Sequence, residues 1–170
     1  MPSFQTILDE TLEAWEDARL GVIEEVRNIP AGRFDWRPSP EVKSVRELVI
    51  HILEVAMMMT GELTASDSGF NRVPFPALIK KHGGPARSAR TRGDLIKLLK
   101  SQLKDGEKKF RSAGELHMLQ LITRFDGEKG TRLAWLNHGI AQEMYHRGQL
   151  TLYARLLGIT PALTKRIRGE

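Results

Sequence analysis

The sequence predicts an all-α chain, an up-and-down four-helix bundle with one long loop between the second and third helices. Three observations carry that prediction. Four stretches keep apolar residues at three- and four-residue spacing. Proline- and glycine-bearing breaks separate them. No segment sustains the alternation of a half-buried strand. At 170 residues the chain reads as a single domain, 1–170, large enough for a four-helix core without disulfide staples.

The first helix is expected from about Ser3 to Asn28. Phe4, Ile7, Leu8, Leu12, Trp15, Ala18, Val22, Val26 and Ile29 form its buried stripe, and Pro30 and Gly32 end it. The segment Phe34 to Pro40 is extended, because Pro38 and Pro40 each disfavour helix in the residue before. Trp36 is expected to anchor that segment on the bundle. Ser44-Val45-Arg46-Glu47 reads as a capping box: the serine accepts a first-turn amide and the glutamate reaches back. The second helix then runs to about Ala65, with Val45, Leu48, Val49, Ile52, Ala56, Met59 and Leu63 facing the core.

Asp67 to Arg90 carries three prolines and lacks sustained periodicity, so it reads as a long loop with one helical turn near Pro76 to Lys81. A loop of that length in a compact domain is a lid or a mobile connection. The third helix starts near Thr91 and buries Leu95, Leu98, Leu99, Leu103 and Phe110. Leu116 to Gly130 reads as irregular, with a short extended piece over His117 to Ile122. The fourth helix spans about Thr131 to Leu157 and stops at Gly158 and Pro161.

The inward-facing polar groups are the informative ones. At about 100° per residue, Trp135, Gly139, Gln142, Leu150, Tyr153 and Leu157 all fall within about 40° of His146. His146 is therefore in the middle of an apolar stripe, where a polar group needs a partner. His138, Gln142 and His146 follow one another turn by turn, and Glu143 precedes His146 by three. The second helix offers His51 at the edge of its apolar face, with Glu47 and Glu54 on its polar side.

One reading is a metal site between helices, since imidazoles completed by an oxygen suit zinc, nickel or iron. Residues four apart can share an ion. His138 and His146 are eight apart, about 12 Å along the axis, and cannot. The other reading is a structural histidine, bonded for instance to Glu54 or Tyr153. Glu143-Met144-Tyr145-His146 also has the Glu-x-x-His spacing of dinuclear carboxylate bundles, but His51 to Glu54 runs in reverse order. His82 and His117 fall in loops and receive no role.

Composition narrows the remaining classes. The formal net charge is +5, gathered in clusters at Lys80 to His82, Arg87 to Arg92, Lys108 to Arg111 and Lys165 to Arg168. No aromatic residues interleave with these to stack bases, so nucleic acid is not the expected partner and the charge reads as solvated loops and helix ends. The C-terminal cluster reads as a short basic arm. There is no cysteine, which removes disulfides and thiolate ligands and fits a cytoplasmic protein. Met1 to Gln5 lacks a signal-peptide pattern, and the apolar run Val55 to Met59 is far too short to span a membrane. No phosphate-binding loop or dinucleotide fingerprint is present.

Three segments carry a resemblance. They are Trp36-Arg37-Pro38-Ser39-Pro40, the run Ser44 to Ile52, and Tyr145-His146-Arg147-Gly148-Gln149-Leu150 followed by Arg155-Leu156-Leu157-Gly158. Their order and spacing resemble the DinB-like (YfiT-like) family across nearly the whole chain, with His-Arg-Gly-Gln as the most specific element. The resemblance implies a four-helix bundle of that type, often a homodimer. It also implies a divalent metal, zinc or nickel, held by one histidine on the second helix and two, four residues apart, on the last. Relatives of known activity are thiol S-transferases or isomerases that use low-molecular-weight thiols such as bacillithiol or mycothiol, some in detoxification.

Carried over residue by residue, His51 and His146 match, and the third position holds Gln142. An amide oxygen is a weaker ligand than imidazole for such ions. Three readings stay open: Gln142 coordinates through its oxygen, a carboxylate such as Glu143 or Glu54 takes its place, or the site holds no metal. The first functional expectation is a metal-dependent thiol transferase or isomerase, with the arginines of the 67–90 loop meeting an anionic thiol. The alternative is a non-catalytic module binding a small ligand.

Overall fold

The computed structural model describes residues 5–170. Four long helices make the bundle: α1 (Ile7–Asn28), α2 (Val45–Thr64), α5 (Arg92–Ala113) and α7 (Arg132–Leu156). Between them lie α3 (Phe75–His82), α4 (Gly84–Ser88), α6 (Glu115–Met118) and a hairpin of β1 (Leu121–Thr123) and β2 (Lys129–Thr131); α8 (Ala162–Arg168) follows α7. The all-α four-helix bundle expected from the sequence is the observed fold. Among the described residues no helix is long and apolar enough to cross a membrane.

Helix starts follow local chemistry. Full capping boxes open α1 at Thr6 with Asp9, α2 at Ser44 with Glu47 and α5 at Thr91 with Asp94. Each satisfies amides that have no partner inside the helix. The Thr6 cap puts the start of α1 at Ile7; Ser3 and Phe4, assigned to the first helix above, lie outside the described residues. At the far end of α7, Gly158 takes φ +74 and Ile159 N–H bonds Ala154 O at 2.8 Å, closing the helix on a left-handed glycine.

Each long helix packs on two others, in the cycle α1–α7–α2–α5. Hydrogen bonds fix the directions. Trp15 meets Glu143 and Asn28 meets Thr160, so α1 and α7 run the same way. Arg46 meets Arg90 and Gln102 meets Thr60, so α2 and α5 also run together. His51 meets Gln142 and Arg132 meets Leu63, so α2 opposes α7. The order is up, down, down, up. Two parallel neighbours need a connection that returns the full bundle length, and this is what the 65–91 segment does.

That segment is more ordered than its sequence suggests. Instead of one turn it carries the whole of α3, begun by Pro74, and the short α4. His82, on α3, packs closely on Gly61 of α2, where a Cβ would come within 2.3 Å of its ring. Of the expected extended piece, His117 to Ile122, only Leu121 and Ile122 fall in a strand, β1; His117 is in α6. The basic tail is a helix packed on α1. Glu25 receives the Ala162 and Leu163 amides, and Lys165 and Arg166 bond Asn28 and Glu24. It is not a free arm.

The core has two apolar clusters. One gathers Leu12, Trp15, Met58, Leu63, Phe110 and Leu136; the other gathers Val22, Val26, Ile52, Leu53, Leu99 and Leu150. Between them lies a buried polar layer. Arg19, 0 % exposed, pairs with Glu143 and donates to Leu99 O at 2.9 Å and to Gln102 Oε1 at 2.7 Å. Trp15 Nε1 donates to Glu143 at 3.0 Å, and Gln102 donates to Thr60 Oγ1 at 3.2 Å. This layer ties all four long helices at one level and fixes the height of α7.

Candidate functional site

His51 stands on α2 two turns from its capping box, and Gln142 and His146 stand one turn apart on α7. Antiparallel packing brings the three together. The Gln142 side-chain nitrogen lies 3.1 Å from His51 Nε2 and 3.1 Å from His146 Nε2. The two rings meet edge to face with centroids 4.9 Å apart. His146 Nδ1 lies 2.6 Å from Gln149 Oε1.

The hydrogen-bond pattern assigns the protons. Gln149 Oε1 accepts, so His146 carries its hydrogen on Nδ1 and presents a lone pair at Nε2. The Gln142 amide has two hydrogens, one for each Nε2. His51 therefore also presents its Nε2 lone pair. Both imidazoles are held neutral. Burial lowers the His51 pKa to about 4, helped by His146 and by the charge of Lys43. Burial also lowers His146, against the opposing bond from Gln149 and with Lys43 adding to the fall. Lys43 is exposed, immediately before the Ser44 cap, and its carbonyl accepts from Tyr153 Oη at 2.9 Å. Trp36 packs edge-on against Tyr153 at 5.6 Å and anchors the loop as its sequence suggested.

The other sequence candidates go elsewhere. Glu143 faces α1 and is bound to Arg19 and Trp15. Glu54 pairs with Arg87 of α4. Neither carboxylate reaches the imidazole pair as it stands, so of the three readings these two substitutes are the ones the geometry does not supply. The structural partners suggested for His146, Glu54 and Tyr153, are likewise engaged with Arg87 and Lys43. His138 is exposed and packs on Trp135 at 4.8 Å. His82 and His117, given no role by sequence, both bond: His82 Nε2 to Glu62 at 2.7 Å, and His117 Nε2 to Leu63 O at 2.9 Å. The loop arginines expected to meet an anion include Arg72, paired with Asp67 at 2.8 Å, and Arg87, paired with Glu54.

Sequence reasoning named Gln149 only within the His-Arg-Gly-Gln motif, with no role of its own, and gave none to Lys43. Gln149 was open to discovery, since three residues after His146 on a helix places it on the same face. Lys43 had no signal beyond its place before the cap.

Among the described residues, no three His, Asp or Glu side chains gather where an ion could sit. The donor set on offer is two neutral imidazoles aimed at one point, with an amide between them. Rotated about its last bond, that amide would present its oxygen to the same point. Two nitrogens and an oxygen suit a borderline divalent ion such as zinc or nickel, and Gln149 gives His146 the outer-shell bond that metal-binding histidines keep. The residues fit such an ion as an open, weak three-donor site.

The DinB family model matches residues 1–168. Solved structures that share the fold include these two. One is a DinB-like protein from Bacillus subtilis, with a TM-score of 0.65 at 21% identity over 88% of this chain and 92% of that one. The other is a histidine-to-alanine mutant of a mycothiol-dependent maleylpyruvate isomerase, with a TM-score of 0.66 at 12% identity over 85% of this chain. This chain spans 61% of that isomerase. No curated protein matches the sequence.

Proposed function

The chain belongs to the DinB family, and from that premise we propose that it is a thiol-dependent transferase or isomerase whose centre is His51, Gln142 and His146, working with a weakly held divalent ion. The observation that supports this reading is the convergence of two neutral Nε2 atoms on one point, 3.1 Å from the same amide. A divalent ion held by His51, Gln142 and His146 would lower the pKa of a bound thiol and so supply a thiolate at neutral pH.

The chain's own residues do the rest. Burial keeps His51 and His146 unprotonated and therefore able to ligate. Gln149 fixes the His146 tautomer. Lys43 gives the site a positive rim suited to an anionic thiol or electrophile. The fold shared with a mycothiol-dependent isomerase is consistent with thiol chemistry. The expected setting is the cytoplasm, where such thiols are kept reduced.

A second reading rests on Gln142 itself. Its amide satisfies both imidazoles with no ion, so the domain can serve as a non-catalytic module for a small ligand. Activity separates the two. Bacillithiol and mycothiol would each be offered with an aromatic electrophile and with maleylpyruvate, in zinc, nickel or chelator. The enzyme reading predicts metal-dependent turnover that vanishes in His146→Ala and rises in Gln142→His. Turnover in neither the parent nor Gln142→His would leave the binding module as the reading.

A further inference from the structure

A second cleft opens on the other side of α2, between α2 and α5, with α3 and α4 as its side wall. It encloses about 290 Å³, and neither His51 nor His146 lines it. That volume is at the lower end of small-molecule sites. Its three regions differ in chemistry. One end is apolar, made by Met57, Leu98 and Pro85. The floor is polar, made by Thr60 and Gln102. The other end is charged, with Asp105 and Lys109 on successive turns of α5.

The floor has hydrogens to give. Thr60 and Gln102 are 5 % and 7 % exposed. Thr60 Oγ1 accepts from Gln102, and its own hydroxyl hydrogen has no acceptor among the described residues. The Gln102 amide spends one hydrogen on Thr60 and its oxygen on Arg19, leaving a second hydrogen. Buried donors of this kind are normally satisfied.

The charged end is also unspent. Asp105 and Lys109 are four apart on one helix, a spacing that favours an ion pair. Yet among the described residues neither is in an ion pair with the other or with any other side chain, although twelve such pairs occur elsewhere. They present one negative and one positive charge side by side at the cleft mouth. From Leu98 to Asp105 the helix rises about 10 Å, the length of an extended dipeptide or a long amino acid.

We propose that this cleft binds a zwitterionic amino acid or dipeptide with an apolar side chain. Its ammonium group meets Asp105 and its carboxylate meets Lys109. The side chain lies against Met57, Leu98 and Pro85, and a carboxylate oxygen of the amino acid or the peptide oxygen of the dipeptide accepts from Thr60 and Gln102. The floor also connects inward, because Gln102 bonds Arg19, which holds Glu143 beside Gln142.

The test is a nitrogen-15 NMR titration with L-leucine, L-methionine, L-phenylalanine and glycyl-L-leucine to millimolar concentration. N-acetyl-L-leucinamide, which lacks both charges, is the control. The expected result is saturable shifts of the Gln102 side-chain amide and the Ser101 to Lys109 backbone with at least one zwitterion, and none with the control. The exposed double variant Asp105→Asn/Lys109→Gln should weaken that binding at least tenfold while leaving the rest of the spectrum in place. No saturable shift with any zwitterion would overturn the proposal. So would equal binding of the uncharged control, or unchanged binding by the variant.

Discussion

His51 and His146 face one another as neutral rings, and that neutrality has a cost in acid. A histidine whose pKa is depressed on folding binds its proton more readily when unfolded. Its contribution to stability is therefore present above the unfolded value of 6.5 and is lost as pH falls towards the folded value, about 4 for His51. Urea unfolding across this window should show stability falling as pH drops, and His51→Gln should flatten the slope. An identical slope in parent and variant would mean that the ring is not buried as a neutral base. Glu143 has a different job. Replacing it by Gln leaves Arg19, wholly buried, without its carboxylate. Breaking a buried pair from one side costs ~3–5 kcal/mol. The double variant Arg19→Met/Glu143→Leu should recover part of that loss, because it removes both charges together but leaves Trp15 Nε1 and Gln102 Oε1 without these partners. Calorimetric unfolding of the three proteins checks the prediction. The roles of these residues were unequally visible in the sequence. His146 stood out because a polar group in an apolar stripe demands a partner. That Glu143 would turn to α1 depended on Arg19, more than a hundred residues away, and no local pattern announces such a pair.

At the scale of elements, the helices with caps and a clean apolar stripe were readable, and those held by long-range contacts were not. Ser44 and Glu47 announce the start of α2 in four letters, and the structure has that capping box. By contrast α3 is short; Leu78 seats it in the core, and a single buried carboxylate ties its last turn to α2. Glu62, on α2, receives Lys81 Nζ and His82 Nε2, each at 2.7 Å, and Gly69 N–H at 2.8 Å. Burial alone would raise the Glu62 pKa, but these bonds outweigh it and bring it to about 2. Its contribution is thus present above the ordinary value of 4.5 and lost as pH falls towards 2. Glu62→Gln should release α3 and α4 first. Hydrogen exchange is expected to speed up in Phe75 to Ser88 while α1 and α7 stay protected. Uniform loss of protection across the chain would contradict this local role. The hairpin between α6 and α7 was missed for a related reason: two three-residue strands give too little alternation to be seen.

At the scale of the molecule, the count of long helices follows from periodicity, while their directions follow from the return of the chain through α3 and α4. The sequence reading expects simple up-and-down alternation; the return through α3 and α4 sets α2 and α5 parallel instead. The outward side of α7 exposes Tyr145, Leu152 and Leu156, each more than half accessible. We propose that this side joins two copies in the homodimer that the family resemblance implies. Light scattering should give twice the chain mass for the parent and the single mass for Leu152→Glu; a monomeric parent would contradict it. The proposed chemistry depends on His51, Gln142 and His146 taking an ion. Calorimetric titration of zinc and nickel into tag-free protein, with His146→Ala and Gln142→His alongside, tests it most directly. The expected result is one weak site per chain, lost in His146→Ala and about tenfold tighter in Gln142→His, roughly 1.4 kcal/mol. No binding in the parent together with none in Gln142→His would contradict it.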